Sequence, residues 1–525
     1  MAGETLPEGA MPVFSIARRP LLRASLGGVL GLPLAAGARA SQTRSPDPAR
    51  LRKAITETDT LTRRLQAGSG IPGIALAIVQ GEKPLFAKGY GVREAGKAGA
   101  VDADTVFQLA SISKPLGATV VAHQVGIGSL AWNSRMQDLL PWFSLSSARA
   151  TRDLTIADLY AHRSGLPDHA GDELEELGYD RMEILRRLRY LPLEGFRTHY
   201  AYTNMGITAA AQAVAEKAGL AWSSLCETAL YQKLGMNRTT SRFPVFEAME
   251  NRAVGHMPEA GRFVPAPVRD PQAQSPAGGA SSSVNDMAKW ISLILGLGRY
   301  RGEQIVAADA LAPALTPQMQ ISPARDGHPA SYYGFGFNVG TSDGGYKMLS
   351  HSGAFLLGAA TNVMMLPALG LGIVVLTNAW PVGVAEAIGL TFLDYVQFGA
   401  PQKDWMKVIA PVFAQMRAPQ GAFVGKQPPA NPMPAQPLSA YQGIYRNIYY
   451  GPLTVLEESG GLVLQAGPSH VRLPCEHWEG DEFAIYPRNE NAPPGSAYKV
   501  SFSGHPATRV TTDFLDEAGI GGFTR

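Results

Sequence analysis

Apolar positions along the chain follow two rhythms, and the places where one gives way to the other outline the architecture. Leu51, Ile55, Leu61 and Leu65 recur at helical spacing before Gly68, which predicts a first helix. Residues 74–79 and 84–90 then read as two strands around Gln80-Gly81-Glu82-Lys83, a hairpin. From residue 111 to about 298 the pattern is mostly helical, interrupted by Pro/Gly loops. Ser283 and Asp286 form a capping-box start to a helix with Met287, Trp290, Ile291 and Ile294 on one face. Strand signals return at 333–339, 347–350, 360–366 and 371–376, and a helical stretch over 382–398 closes the unit. One sheet is thus expected from the two ends of this unit, with a helical region inserted between them and Ser111 at the boundary. Clefts at such boundaries favour ligand sites.

Beyond residue 400 the rhythm changes again. Residues 401–437 are rich in Pro, Ala and Gln, a composition that suits an extended linker. Residues 438–525 alternate short apolar runs with Gly, Asn and Pro turns, which predicts a small all-β domain. The fold class read from the chain is therefore α/β (α+β), with a serine-bearing domain over 41–400.

The N-terminal 40 residues read as a targeting segment. Ala17-Arg18-Arg19-Pro20-Leu21-Leu22-Arg23 resembles a twin-arginine export signal, an apolar stretch follows over 26–36, and Ala38-Arg39-Ala40 offers a small-x-small cleavage site. The apolar stretch is too short to span a bilayer comfortably, so no stable membrane span is expected after signal removal. The expectation is an exported, periplasmic or secreted protein.

Bulk composition narrows the partners. The 525 residues carry a net charge of +2, which gives no footprint for nucleic acid or an acidic partner. Apolar residues make up 45% and charged residues 17%, a globular balance. The two cysteines, Cys226 and Cys475, lie in different expected domains and read as buried free thiols.

Candidate chemistry begins with Ser111 and Lys114 in Phe-Gln-Leu-Ala-Ser-Ile-Ser-Lys-Pro. On a helix, positions i and i+3 share a face, so hydroxyl and amine can share a proton. Serine is a weak nucleophile until a base takes that proton, and a desolvated lysine can serve. Two tripeptides fit the same machinery: Tyr202-Thr203-Asn204, in a loop before a helix, and His351-Ser352-Gly353, at the end of a strand. Each pattern alone is weak, since about one copy is expected by accident in a chain of this length. Tyr445-Arg446-Asn447 and His169-Ala170-Gly171 match equally well and are set aside on order and setting. Gly340-Thr341-Ser342-Asp343-Gly344 fits a nucleophile elbow, but Gly345-Tyr346-Lys347 continues as a hairpin turn instead of a helix. Gly91 to Lys97 lacks the Ser/Thr of a phosphate loop, and Gly68 to Gly73 precedes a strand instead of opening a helix.

Together, Ser111-x-x-Lys114, Tyr202-x-Asn204 and His351-x-Gly353 resemble the penicillin-recognising serine hydrolases. The branch is the one holding class C β-lactamases, D-Ala-D-Ala carboxypeptidases, D-aminopeptidases and esterases. The surrounds Ala161-His162-Arg163-Ser164-Gly165-Leu166-Pro167 and Ser275-Pro276-Ala277-Gly278-Gly279 look like family loops. The resemblance covers roughly residues 50 to 400. The C-terminal segment is similar to the lipocalin-like β domain of some peptidases of this branch.

The resemblance implies a class C β-lactamase-like sheet flanked by helices. It implies Ser111 as acylated nucleophile, with Lys114 and Tyr202 sharing base and acid work. Asn204, His351 and Gly353 would bind and orient substrate, and the backbone N–H groups of Ser111 and Ala354 would form the oxyanion hole. No metal or organic cofactor is required. The β-lactamases have lysine where His351 stands, so β-lactam turnover is disfavoured and a peptide or amide is the first expectation. Expected substrates are small molecules or short peptides: linear, D-residue-containing, or opened cyclic ones such as linearised microcystin. A carboxylesterase, a β-lactamase and an inactive peptide-binding sensor are the alternatives. The β domain is also a candidate surface for homo-oligomer assembly.

Overall fold

The computed structural model describes residues 46–325 and 329–525. The expected export signal and cleavage site lie outside the described residues. Helix α1 (Pro48–Ser69) begins where the Asp47 carboxylate accepts the Ala49 and Arg50 amides at 2.7 and 3.1 Å. It ends at Gly70, whose φ of 72° needs no Cβ. Its buried stripe is Leu51, Ala54, Thr58 and Thr62, small enough to lie close against a sheet.

That sheet is antiparallel and eight-stranded. Its members are β1 (Gly73–Gln80), β2 (Lys83–Gly91), β3 (Met319–Ser322), β4 (Ser331–Tyr333), β5 (Asn338–Thr341), β6 (Lys347–Phe355), β7 (Ala359–Leu366) and β8 (Leu371–Thr377). The order across it is β2-β1-β8-β7-β6-β5-β4-β3. Strand β1 pairs β8, Ile74 with Thr377 through Gln80 with Leu371, so the two ends of the unit meet in the centre. Strands β7 and β8 are buried on both faces, which accounts for their continuous Val, Ile, Leu and Met runs.

Between the sheet's two ends the chain makes a helical region holding α2 (Ser113–Gly126), α3 (Asn204–Ala218) and α4 (Val284–Leu295). Helix α2 is buried nearly all round, as expected for a helix with no polar face. Only half of the expected capping box forms at α4. Ser283 Oγ accepts the Asp286 amide, while the Asp286 carboxylate serves the Arg238 amide at 2.6 Å and Lys289 Nζ at 2.8 Å. Helix α5 (Val384–Phe398) lies with α1 on the other face of the sheet.

Three expectations need correction. The single strand over 333–339 is two strands, β4 and β5, because Gly334 to Phe337 makes a tight turn closed by Gly334 N–H donating to Phe337 O at 2.8 Å. Gly336 in that turn has φ 76°, and a Cβ there would come within 2.8 Å of the Lys114 carbonyl. His351-Ser352-Gly353 does not end a strand; β6 runs through it to Phe355. The extended linker holds a helix, α6 (Trp405–Met416), capped by the Asp404 side chain on the Lys407 amide and burying Trp405, Ile409, Phe413 and Met416. Pro411 and the Pro/Gln-rich flanks hid that periodicity.

Residues 443–524 form a closed barrel of eight antiparallel strands, the first pairing with the last through Arg446 and Thr524. Closure leaves no exposed sheet edge. The interior is filled by Tyr441, Tyr445, Phe483, Phe502 and Phe523. The barrel docks on the helical region: Tyr179 Oη donates to Tyr450 O at 2.8 Å, and Arg187 Nη1 to Tyr449 O at 2.6 Å. Among the described residues no helix is long and apolar enough to cross a membrane.

Candidate active site

The site lies where β6 loses a neighbour. Pairing of β5 with β6 stops at Ser350, whereas pairing with β7 continues to Phe355. The stretch from His351 to Phe355 therefore presents an edge, and the turn bearing Ser111 packs against it. Gly353 permits the approach: a Cβ there would sit 2.2 Å from Leu109 O and 2.9 Å from Ser111 N. Ser111 occupies a 3-10 turn (Ala110–Ile112) just before α2. Ala110, immediately before it, holds φ 47°, a strained conformation for an alanine and of the kind found at functional turns.

Lys114 is fully buried. Its Nζ lies 3.0 Å from Ser111 Oγ, 2.7 Å from Asn204 Oδ1 and 3.0 Å from Ala277 O. Burial lowers its pKa to about 7, an effect that the nearby Asp172 charge opposes. A neutral amine in that position can donate to the two carbonyl oxygens and still offer its lone pair to the Ser111 hydroxyl. Tyr202 Oη donates to Ser111 Oγ at 2.7 Å, and burial raises the phenol's pKa. Tyr202 is therefore a neutral acid beside a base poised near neutrality.

The tripeptide at 202–204 is held by backbone contacts that the spacing does not reveal. Tyr202 N–H donates to Asp168 Oδ1 at 2.7 Å, and Thr203 N–H to His162 Nδ1 at 3.1 Å. His162 is buried, with φ 55°, and its ring lies 4.5 Å from that of Tyr202. Asn204 Nδ2 donates to Asp172 Oδ2 at 2.9 Å, and His169 Nδ1 contacts the same oxygen at 2.9 Å. His169, set aside as a motif residue, thus borders the cleft through a different role.

His351 departs from the substrate-facing position expected of it. The pleat of β6 turns its ring inward, where it is 2% exposed and does not line the cleft. Its Nε2 meets Tyr333 Oη at 2.9 Å and its Nδ1 lies 2.7 Å from Ser352 O. Burial, with Lys114 nearby, lowers its pKa to about 3, so the imidazole is neutral and cannot anchor an anion. Ser352, Gly353 and Ala354 line the cleft instead.

The cleft over Ser111 takes in about 900 Å³ of empty space when the open solvent at its mouth is counted. Its far wall comes from segments read as linker and separate domain: Phe413 and Met416 of α6, and Glu490 and Asn491 of the barrel. Glu490 accepts the Leu356 and Leu357 amides at 2.8 and 3.1 Å, holding the turn after β6, and Asn491 Nδ2 donates to Asp172 O at 3.3 Å. Arg269, facing the same cavity, is engaged by Glu175 at 2.5 Å. Single acidic residues carry no spacing signal, so Asp172, Glu175 and Glu490 were not legible in the sequence. Among the described residues no group of three His, Cys, Asp or Glu side chains is placed to hold a metal ion. Cys226 and Cys475 are free thiols, each pushed up to about 12 by burial.

A hydroxyl between an amine and a phenol, on a turn pressed against a sheet edge, defines a serine hydrolase. Residues 58–394 match the Beta-lactamase family, and the chain belongs to it. Residues 427–518 match a domain of unknown function, DUF3471. The chain is 27% identical over 462 residues to the Unguisins hydrolase ungD of Aspergillus violaceofuscus, covering 79% of each. It is 29% identical over 331 residues to Penicillin-binding protein 4 of Amycolatopsis lactamdurans, covering 60% of this chain and 82% of that one. The octameric penicillin-binding protein homologue from Pyrococcus abyssi shares the fold at a TM-score of 0.59 and 20% identity, with 87% of this chain and 98% of that one covered.

Proposed function

We propose that the protein cleaves amide bonds of short or unusual peptides through an acyl-enzyme on Ser111. The supporting observation is the pair of hydrogen bonds that converge on Ser111 Oγ from a buried Lys114 and a protonated Tyr202. Neutral Lys114 takes the Ser111 proton as Oγ attacks the carbonyl carbon. The oxyanion forms against the N–H groups of Ser111 and Ala354, where loss of one donor typically costs about 3–4 kcal/mol. Tyr202 then protonates the leaving nitrogen and recovers a proton from the Lys114 ammonium. Water, deprotonated by the same pair, releases the acid and regenerates the serine. Asn204 fixes Lys114 and is itself fixed by Asp172.

The peptide reading draws on the likeness to a hydrolase named for unguisins, which covers 79% of this chain. It also draws on the walled cleft, which admits short substrates more readily than folded proteins. Export follows from the sequence signal, and fractionation of cells expressing the tagged chain checks it. The activity is tested by incubating the purified chain with a library of linear, D-residue-containing and cyclic peptides, with matched esters alongside. Fragment release that vanishes in Ser111→Ala supports the reading. Brisk ester turnover with every peptide intact replaces it with an esterase.

A further inference from the structure

Glu386, at the start of α5, is a buried carboxyl that the reaction above leaves unused. It is 1% exposed yet lines the cleft with Ser111, and its Oε2 has no hydrogen-bond partner among the described residues. The Ser352 hydroxyl neighbours the Glu386 carboxyl and favours its charged form, and it accepts the Asn362 amide at 3.1 Å. Asn362 Oδ1 is likewise buried without a partner, in an adjoining cleft that meets the first at Ser352. Two orphaned acceptor oxygens therefore flank one serine next to the nucleophile. A buried acceptor left unmade costs about 1–3 kcal/mol, so such a pair is poised for a donor. Burial raises the Glu386 carboxyl to about 7, as expected of an acid with nothing opposite to stabilise its charge.

The rest of the cleft has the same sign. Asp172, Glu175, Glu386 and Glu490 line it, against one guanidinium, Arg269, which Glu175 already engages. His351 is neutral and turned away. Among the described lining residues, a carboxylate arriving beside Ser352 would thus meet mainly carboxyl groups, since Arg269 is paired with Glu175 even though its buried Nε stays unpartnered.

We propose that Glu386, with Ser352, forms a subsite receiving an N–H donor of the substrate, an ammonium or a neutral amide, and excluding substrates that carry a carboxylate there. This rests on the peptide-hydrolase reading and specifies its substrates as peptides that present nitrogen, not a terminal acid, next to the scissile bond.

Boronic acids bonded to Ser111 test it without knowledge of the natural substrate. Inhibition of p-nitrophenyl ester turnover is measured for phenylboronic acid and its 3-aminomethyl, 3-carbamoyl and 3-carboxy derivatives. The wild type is expected to bind the aminomethyl or carbamoyl compound at least about tenfold more tightly than the carboxy compound. Glu386→Gln, checked for folding by its melting curve, is expected to narrow the aminomethyl-over-carboxy ratio about tenfold. An advantage of aminomethyl over carbamoyl identifies an ammonium, and equality identifies an amide. Equal binding of the carboxy compound by the wild type, or an unchanged ratio in folded Glu386→Gln, overturns the proposal. Should Glu386→Gln not fold, the wild-type ranking decides, with Ser352→Ala as the second variant. Failure of phenylboronic acid itself to inhibit counts instead against the serine-hydrolase mechanism.

Discussion

The two walls of the cleft are built by different means. The near wall is local chemistry: Lys114 and Tyr202 each lie within hydrogen-bond reach of Ser111, at or just before the starts of helices α2 and α3. The far wall is borrowed from distant sequence, from α6 and from a barrel loop whose Glu490 grips the turn after β6. In the proposed reaction the near wall would carry proton transfer, and the far wall placement and selection. Damage to the first should abolish turnover, whereas damage to the second should degrade it by degrees.

The sharpest separation is expected from Lys114→Met, which removes the base; kcat should fall at least about 10³-fold by single-turnover ester kinetics. A loss under tenfold would shift the base role to another group. Next is the pH profile of the wild type. Lys114 must be neutral to accept a proton, so kcat/KM should rise through an apparent pKa near 7 and level off above it. A profile flat from pH 5 to 9 would contradict this. Glu490→Ala deprives two amides of their acceptor and frees the turn two residues beyond Ala354; kcat/KM should fall about 10- to 100-fold with stability down about 1–3 kcal/mol by denaturant melts. Smallest is Tyr445→Phe inside the barrel, which loses the bond from Oη to Tyr441 O at 2.8 Å. About 1 kcal/mol of stability and no measurable activity should go with it.

The same division decided what could be read from the chain. Ser111 and Lys114 are three residues apart on one helical turn, and Tyr202 is followed by a helix start, so local rules reach them. The sheet was legible because β1, β7 and β8 are apolar runs bounded by glycines and turns. His351 was misplaced because its strand was ended too early; once β6 runs on to Phe355, alternation sends His351 inward and Ser352 outward. Helix α6 was hidden by Pro411 within a Pro-rich stretch. Glu386, Glu490 and Asp172 depend on tertiary proximity across tens to hundreds of residues, for which no periodicity exists.

Glu490 has a consequence for how the enzyme comes to life. A ribosome delivers the nucleophile long before it delivers the clasp that steadies the opposite bank. A chain cut before the barrel would carry every reacting atom and still work poorly.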